Sequence, residues 1–150
     1  MSLTVVKGLQ SEIYAPVTPP PVFTPVKKEL KDMTIALATA AGVHLKSDER
    51  FNLAGDTTYR MIPGDTDTND LMVSHGGYDN SDVNKDINCM FPLDRIRELE
   101  EEGFIGKVAP MHFGFMGGGG DQRAFTEETG PEIAQKLKEE GVDAVLMTAG

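Results

Sequence analysis

Between residues 129 and 148 the chain writes a helix, a stop and a strand in immediate succession, and few folds accommodate that order. Thr129 followed by Glu132 has the spacing of a capping box, in which each side chain satisfies a backbone amide left open at a helix N-terminus. Ile133, Ala134 and Leu137 recur at helical spacing, Gly141 stops the helix, and residues 143–148, DAVLMT, are an apolar run suited to a strand buried on both faces. Helix, tight glycine turn and apolar strand make half of a crossover unit. The fold class that follows is α/β, three-layer, with a mainly parallel sheet and flanking helices.

The rest of the chain supplies the other pieces. MTIALATAA at 33–41, bounded by Lys31-Asp32 and Gly42, predicts the first core strand, and shorter strands are expected at 59–62 and 71–74 around Pro63-Gly64 and a polar stretch. Leu93, Ile96 and Leu99 predict a helix over 93–102, opening on Pro92, where a missing amide costs nothing, and ending at Gly103. Residues 107–115 predict a strand that Pro110 places near an edge or a bend. Upstream, Pro16, Pro19, Pro20, Pro21 and Pro25 disfavour helix, so residues 1–32 are expected to be a proline-rich arm and 33–150 the domain proper. Val17, Val22, Phe23 and Val26 give the arm enough apolar surface to lie against the domain or a partner chain.

Charge and cysteine usage narrow the function. Fourteen basic against twenty-four acidic residues give a net charge of −10, which disfavours nucleic acid and anionic membrane surfaces as partners. No apolar run approaches the roughly 20 residues of a membrane span, and the N-terminus lacks a signal-peptide layout, so a cytoplasmic location is expected. Cys89 is alone, unable to form an internal disulfide, and suits a reducing compartment.

The candidate site residues follow the predicted strand ends. His44, His75 and His112 are the only histidines, each at or just beyond a predicted strand, but their spacing matches no ligand motif and no metal is expected. His75 and His112 are candidate proton donors or anion stabilisers, with structural hydrogen bonding as the alternative. The run from Asp79 to Asn88 lacks the glycine and terminal glutamate of a calcium loop and reads as turn and helix caps; Asp79 stays a candidate because it could orient His75. Cys89 precedes a helix start and is either an activated thiol or a small buried apolar residue. Gly117, Gly118, Gly119 and Gly120 lack the endings of a P-loop or a dinucleotide fingerprint, so no nucleotide is expected; a flexible loop over substrate or a docking surface is. Thr148, Ala149 and Gly150 follow the last strand, where open α/β sheets place their ligand crevice, and are expected to form the active-site mouth. A strand running straight into the final residue also raises the expectation that the chain is truncated there.

The stretch VSHGGYDNSDVNKDINCMFPLDRIRELEEEGFIG at 73–106 resembles the signature region of the glycine/sarcosine/betaine and proline reductase selenoprotein B family. AAGVHLKSDERFNLAGDTTYRMIP upstream, APMHFGFMGGGGDQ and GPEIAQKLKEEGVDAVLMTAG downstream, and the opening TVVKGLQSEIYAPVTPPPV extend the likeness over essentially the whole chain, nearest to the proline reductase branch. In that family a segment resembling VLMTAG is followed at once by selenocysteine. The resemblance therefore implies a selenocysteine directly after Gly150, lost here because its codon is also a stop codon, and a fragment inactive without that nucleophile. It implies reductive ring cleavage of D-proline to 5-aminovalerate, a pyruvoyl-containing partner subunit, and a dithiol or electron-transfer protein as reductant. A selenol is more acidic and polarizable than a thiol, which suits the role. Kept beside this are a sister specificity for glycine, sarcosine or betaine, a flavodoxin-like electron carrier, a non-catalytic assembly subunit, and homo-oligomerisation.

Overall fold

A computed structural model describes residues 24–117 and 121–149. The apolar run at 33–41 forms β1, Thr34–Thr39, buried along nearly its whole length. It is the centre of a five-stranded sheet. On one side it pairs in parallel with β5, Lys107–Val108, and β6, Met111–Phe115; on the other it pairs in parallel with β7, Ala144–Thr148. Beyond β6 lies β3, Tyr59–Pro63, which runs antiparallel to it. The sheet is thus mixed but mostly parallel, as an α/β fold requires.

The side-chain alternation of β1 sorts the two outer layers. Ile35 and Leu37 face α1, Leu93–Glu101, whose Leu93 and Ile96 are buried in the same cluster with Phe91, Val83 and Ile87. Ala36 and Ala38 face the opposite way, with Phe113, Phe115 and the Ile133 and Leu137 of α3, Gly130–Glu139. Small residues on that face let α3 approach the sheet closely. On the α1 side a second, two-stranded antiparallel sheet forms from β2, Val43–Leu45, and β4, Leu71–Val73. It rides directly over Gly114, where a Cβ would sit 1.9 Å from the Val43 carbonyl oxygen.

Four sequence expectations are corrected. The expected strand over 107–115 is two strands, since Ala109-Pro110 adds residues that β1 does not match: Ile35 pairs with Val108, but Ala38 pairs with Phe113. The helix expected to start at Thr129 begins earlier, at α2, Gln122–Ala124, capped by Asp121, and passes through a π-helical segment, Phe125–Thr129, into α3. Pro131 explains the widening: it has no amide and its ring crowds the carbonyl four residues back, so the Gly130 amide reaches five residues back to Phe125. Thr129 and Glu132 accordingly form no capping box; the Thr129 hydroxyl donates to the Thr57 carbonyl and Glu132 accepts from the Tyr59 hydroxyl at 2.6 Å. The strand expected to be buried, β7, is an edge strand among the described residues, with Leu146 and Met147 45% and 60% exposed. Of the expected arm, residues 24–32 are described and exposed, ending in a 3-10 turn at Leu30–Asp32; residues 1–23 lie outside the described part, as do Gly118, Gly119, Gly120 and Gly150.

Candidate active site

The strand order creates a crevice before any side chain is considered. The connection from β1 to β6 contains α1 on one face, and the connection from β6 to β7 contains α3 on the other. Chain leaving β1 and chain leaving β6 therefore part company at their carboxyl ends, which is the switch point where open α/β sheets hold ligands. Backbone bonds tie the two ends together: the Gly42 amide donates to Phe115 and the Gly117 amide to Ala40, both carbonyls, at 3.0 and 2.9 Å. Gly42 makes the exit turn possible, since its φ of +72° is strained for other residues and a Cβ there would lie 2.3 Å from the Ser74 carbonyl oxygen.

The segment after β4 settles over this crevice and delivers His75. The Gly77 amide donates to His75 Nδ1 at 2.9 Å, so the ring proton resides on Nε2, which faces the Gly117 carbonyl at 3.2 Å. Asn80 holds the His75 backbone carbonyl, and Tyr78 stacks on the ring with centroids 4.8 Å apart while its hydroxyl donates to the Ala41 carbonyl at 2.9 Å. Burial raises the Tyr78 phenol above its ordinary range, and the nearby Cys89 thiol adds to that shift. Cys89 itself is exposed at the end of the turn Ile87–Cys89. The next residue, Met90, accepts the Thr148 hydroxyl at its carbonyl, which fixes this turn to the last residue of β7, and Ala40 donates to the Thr148 carbonyl. Thus His75, Cys89, Thr148 and Gly117, four of the residues singled out in the sequence, come to one end of the sheet. Ala149 follows Thr148 there.

A cavity of about 350 Å³ opens beside this cluster on the α3 face. Its walls include Asp56, Phe115, Gly117, Asp121 and Phe125. Gly117 belongs to both, so the His75 ring and the cavity share a border. The aromatic rings give an apolar floor, and the two carboxylates favour a cationic group at its rim. Asp56 is held ionised: burial works against it, but hydrogen bonds from Thr58 and Asn52 outweigh that and lower its pKa.

The other two histidines lie elsewhere. His112 is fully buried in β6, and its Nδ1 accepts the Leu37 amide at 2.9 Å, filling the ladder position that the Ala109-Pro110 interruption leaves empty. The proton is then on Nε2, which has no partner among the described residues. Burial, with a smaller push from Arg97, lowers its pKa to about 4. His44 is also buried; its Nδ1 donates to the Leu45 carbonyl and its Nε2 accepts from the Ser74 hydroxyl at 2.8 Å, and burial lowers its pKa. Asp79 is turned to solvent and accepts the Ser81 amide at 2.9 Å; the orientation of His75 comes instead from Gly77. Asn88 caps α1 by accepting the Asp94 amide and donating to the Asp94 carboxylate. Among the described residues no three histidine, cysteine, aspartate or glutamate side chains converge as a metal site would need.

Sequence reasoning missed Tyr78, Asp56 and Asp121. Tyr78 had a usable signal, since it lies three residues past His75 within a glycine-rich turn. Asp56 and Asp121 had none, because they are far apart in the chain and meet only as walls of one cavity.

Known proteins resemble this chain along nearly its whole length. D-proline reductase subunit gamma of Acetoanaerobium sticklandii is 76% identical over 148 residues, which are 99% of this chain and 61% of that protein. Glycine reductase complex component B subunit gamma of Carboxydothermus hydrogenoformans is 32% identical over 97% of the chain and 35% of its own length. Sarcosine reductase complex component B subunit beta of Peptoclostridium acidaminophilum is 33% identical over the same shares. The chain thus spans less than two thirds of the length of these relatives. No solved structure matches. The profile of glycine/sarcosine/betaine reductase selenoprotein B matches residues 6–150, and the chain belongs to that family.

Proposed function

We propose that this chain is part of the selenocysteine-containing subunit of D-proline reductase, a cytoplasmic enzyme that opens the ring of D-proline to 5-aminovalerate. The observation that carries the reading is the 76% identity to the D-proline reductase subunit, sustained along 99% of the chain, against about a third with the glycine and sarcosine proteins. The reaction breaks one C–N bond and adds two electrons and two protons, which a dithiol supplies as it becomes a disulfide. A pyruvoyl group on a partner subunit would withdraw electrons from the substrate's α-carbon, and a selenolate following Gly150 would supply the nucleophile. Neither requires a nucleotide.

This chain's own residues would prepare the site. The β7 end, tied to Met90 through Thr148, fixes where the backbone leaves the sheet, so a group carried just beyond it emerges at the crevice. His75, held with its proton on Nε2, points that proton at a carbonyl across a long 3.2 Å contact and can redirect it to the ring nitrogen as the C–N bond breaks. Phe115 and Phe125 exclude water from the α3 side, while Asp56 and Asp121 attract the amine. Cys89, exposed next to Met90, is a candidate thiol for the oxidised selenium; Asp79 and His112 have no contact with this cluster among the described side chains.

The test is turnover of D-proline with dithiothreitol by the longer subunit reconstituted with its pyruvoyl partner. Replacing the selenium-bearing residue by serine should abolish turnover, and this 150-residue chain alone should show none. Retained turnover with serine would make this subunit an assembly component rather than the nucleophile.

A further inference from the structure

The two edges of the main sheet are built differently. Edge strand β3 carries Arg60 and Pro63, and pairs antiparallel with β6, the usual means of closing an edge to strangers. Edge strand β7 reads AVLMT, with no charge, no proline and no bulge, and its five residues pair in unbroken parallel register with β1. A parallel strand of that composition belongs in a sheet interior.

Both of its faces are also only partly covered among the described residues. In register with Leu37, Leu146 faces the α1 side and is 45% exposed; in register with Ala38, Met147 faces the α3 side and is 60% exposed. On that second side the exposed surface runs into an apolar groove of about 200 Å³ between β7 and α3, lined by Phe125, Ile133, Leu137, Val145 and Met147. Asp143, the one charge at the strand's start, is already engaged by Lys28 and the Thr34 amide. Lipid or a small ligand would need only one face; a free edge with two apolar faces calls for a strand with covering helix.

We infer that the outer edge of β7 receives a further parallel strand, accompanied by an amphipathic helix that fills the groove along α3, and that the occupant is polypeptide of the kind the D-proline reductase subunit carries outside the matched region. The matched 148 residues are 61% of that relative, so it has ample chain for one or more such units. This inference rests on the fold and the family, not on the catalytic reading.

Amide hydrogen exchange over residues 144–148 tests it, measured on this chain and on the equivalent strand of the full-length relative at several protein concentrations. The expected result is that the outward amides of β7 exchange rapidly here and at least about 100-fold more slowly in the longer protein, independent of concentration. Equal, rapid exchange in both proteins would overturn the inference. So would protection in this chain that grows with concentration, which would make a second copy the occupant. Protection at high dilution that disappears on removing residues 1–23 would assign the edge to the arm and equally overturn it.

Discussion

His75 and His112 start from the same position in the sequence argument and end in opposite situations. His112 lies inside the sheet, where its imidazole takes the Leu37 amide that no backbone carbonyl reaches. His75 lies at the strand ends, where its ring is held by one amide and faces a carbonyl bordering a cavity. The first is bound to the fold because a buried amide must have a partner. The second is only half-buried, and its bonds run to a loop amide and a carbonyl at the cavity's border instead of completing the sheet. A histidine within a strand can thus be taken up by an incomplete ladder, whereas one beyond the strand end is not.

The largest effect that should separate the interior from the strand-end crevice lies at Gly114, which lets β2 sit over the sheet. Gly114→Ala puts a Cβ 1.9 Å from a backbone oxygen that has no side-chain freedom to yield. Urea unfolding should show a loss of more than about 3 kcal/mol, or no cooperative transition at all. A loss below 1 kcal/mol, as ordinary exposed substitutions give, would mean that β2 is not seated there.

Next in size is the acid dependence due to His112. The folded chain keeps this imidazole neutral down to about pH 4, while the unfolded chain protonates it near 6.5, so the unfolded state binds the extra proton. Its contribution is intact above pH 6.5 and is lost as pH falls from there through 4, amounting to roughly 3 kcal/mol. Stability measured against pH should fall over that window in the parent and less steeply in His112→Phe. Parallel curves would contradict the buried neutral ring. At neutral pH the same variant leaves the Leu37 amide without its acceptor and should cost about 1–3 kcal/mol.

Smaller effects are expected at the strand ends. Tyr78→Phe removes a hydroxyl that donates to the Ala41 carbonyl and should cost about 1 kcal/mol in thermal or urea unfolding. His75→Gln should cost less than about 1 kcal/mol of stability, since the contacts it loses, with the Gly77 amide and the Gly117 carbonyl, lie on a half-open loop. In the reconstituted longer enzyme, however, it should lower kcat by roughly 10²-fold with little change in KM, as loss of a proton donor does. A stability loss as large as that of His112→Phe would erase the distinction drawn between them.

Much of the architecture was legible because it depends on local signals. The apolar run of β1, the three-residue spacing of Leu93, Ile96 and Leu99, and Gly141 before β7 each fix an element without knowledge of its neighbours. What was not legible depends on contacts made far along the chain. Three residues of β2 are too short to display a period, and their pairing with β4 is set by the turn at Gly42. The helix start moved upstream because Pro131 permits a π-helical segment that continues the helix across a false capping box. Strand ends marked His75 and Thr148 and a helix start marked Cys89, which the structure brings to one end of the sheet, but no local signal told that a proline interruption would consume His112.

What the strand end at Thr148 presents to the crevice is measured directly by peptide mapping, with mass spectrometry, of the protein isolated from its native host. The peptide containing Val145 to Gly150 should continue into a residue bearing the mass and isotope pattern of selenium. Continuation into an ordinary residue other than cysteine, or a polypeptide whose mature C-terminus is Gly150, would contradict it.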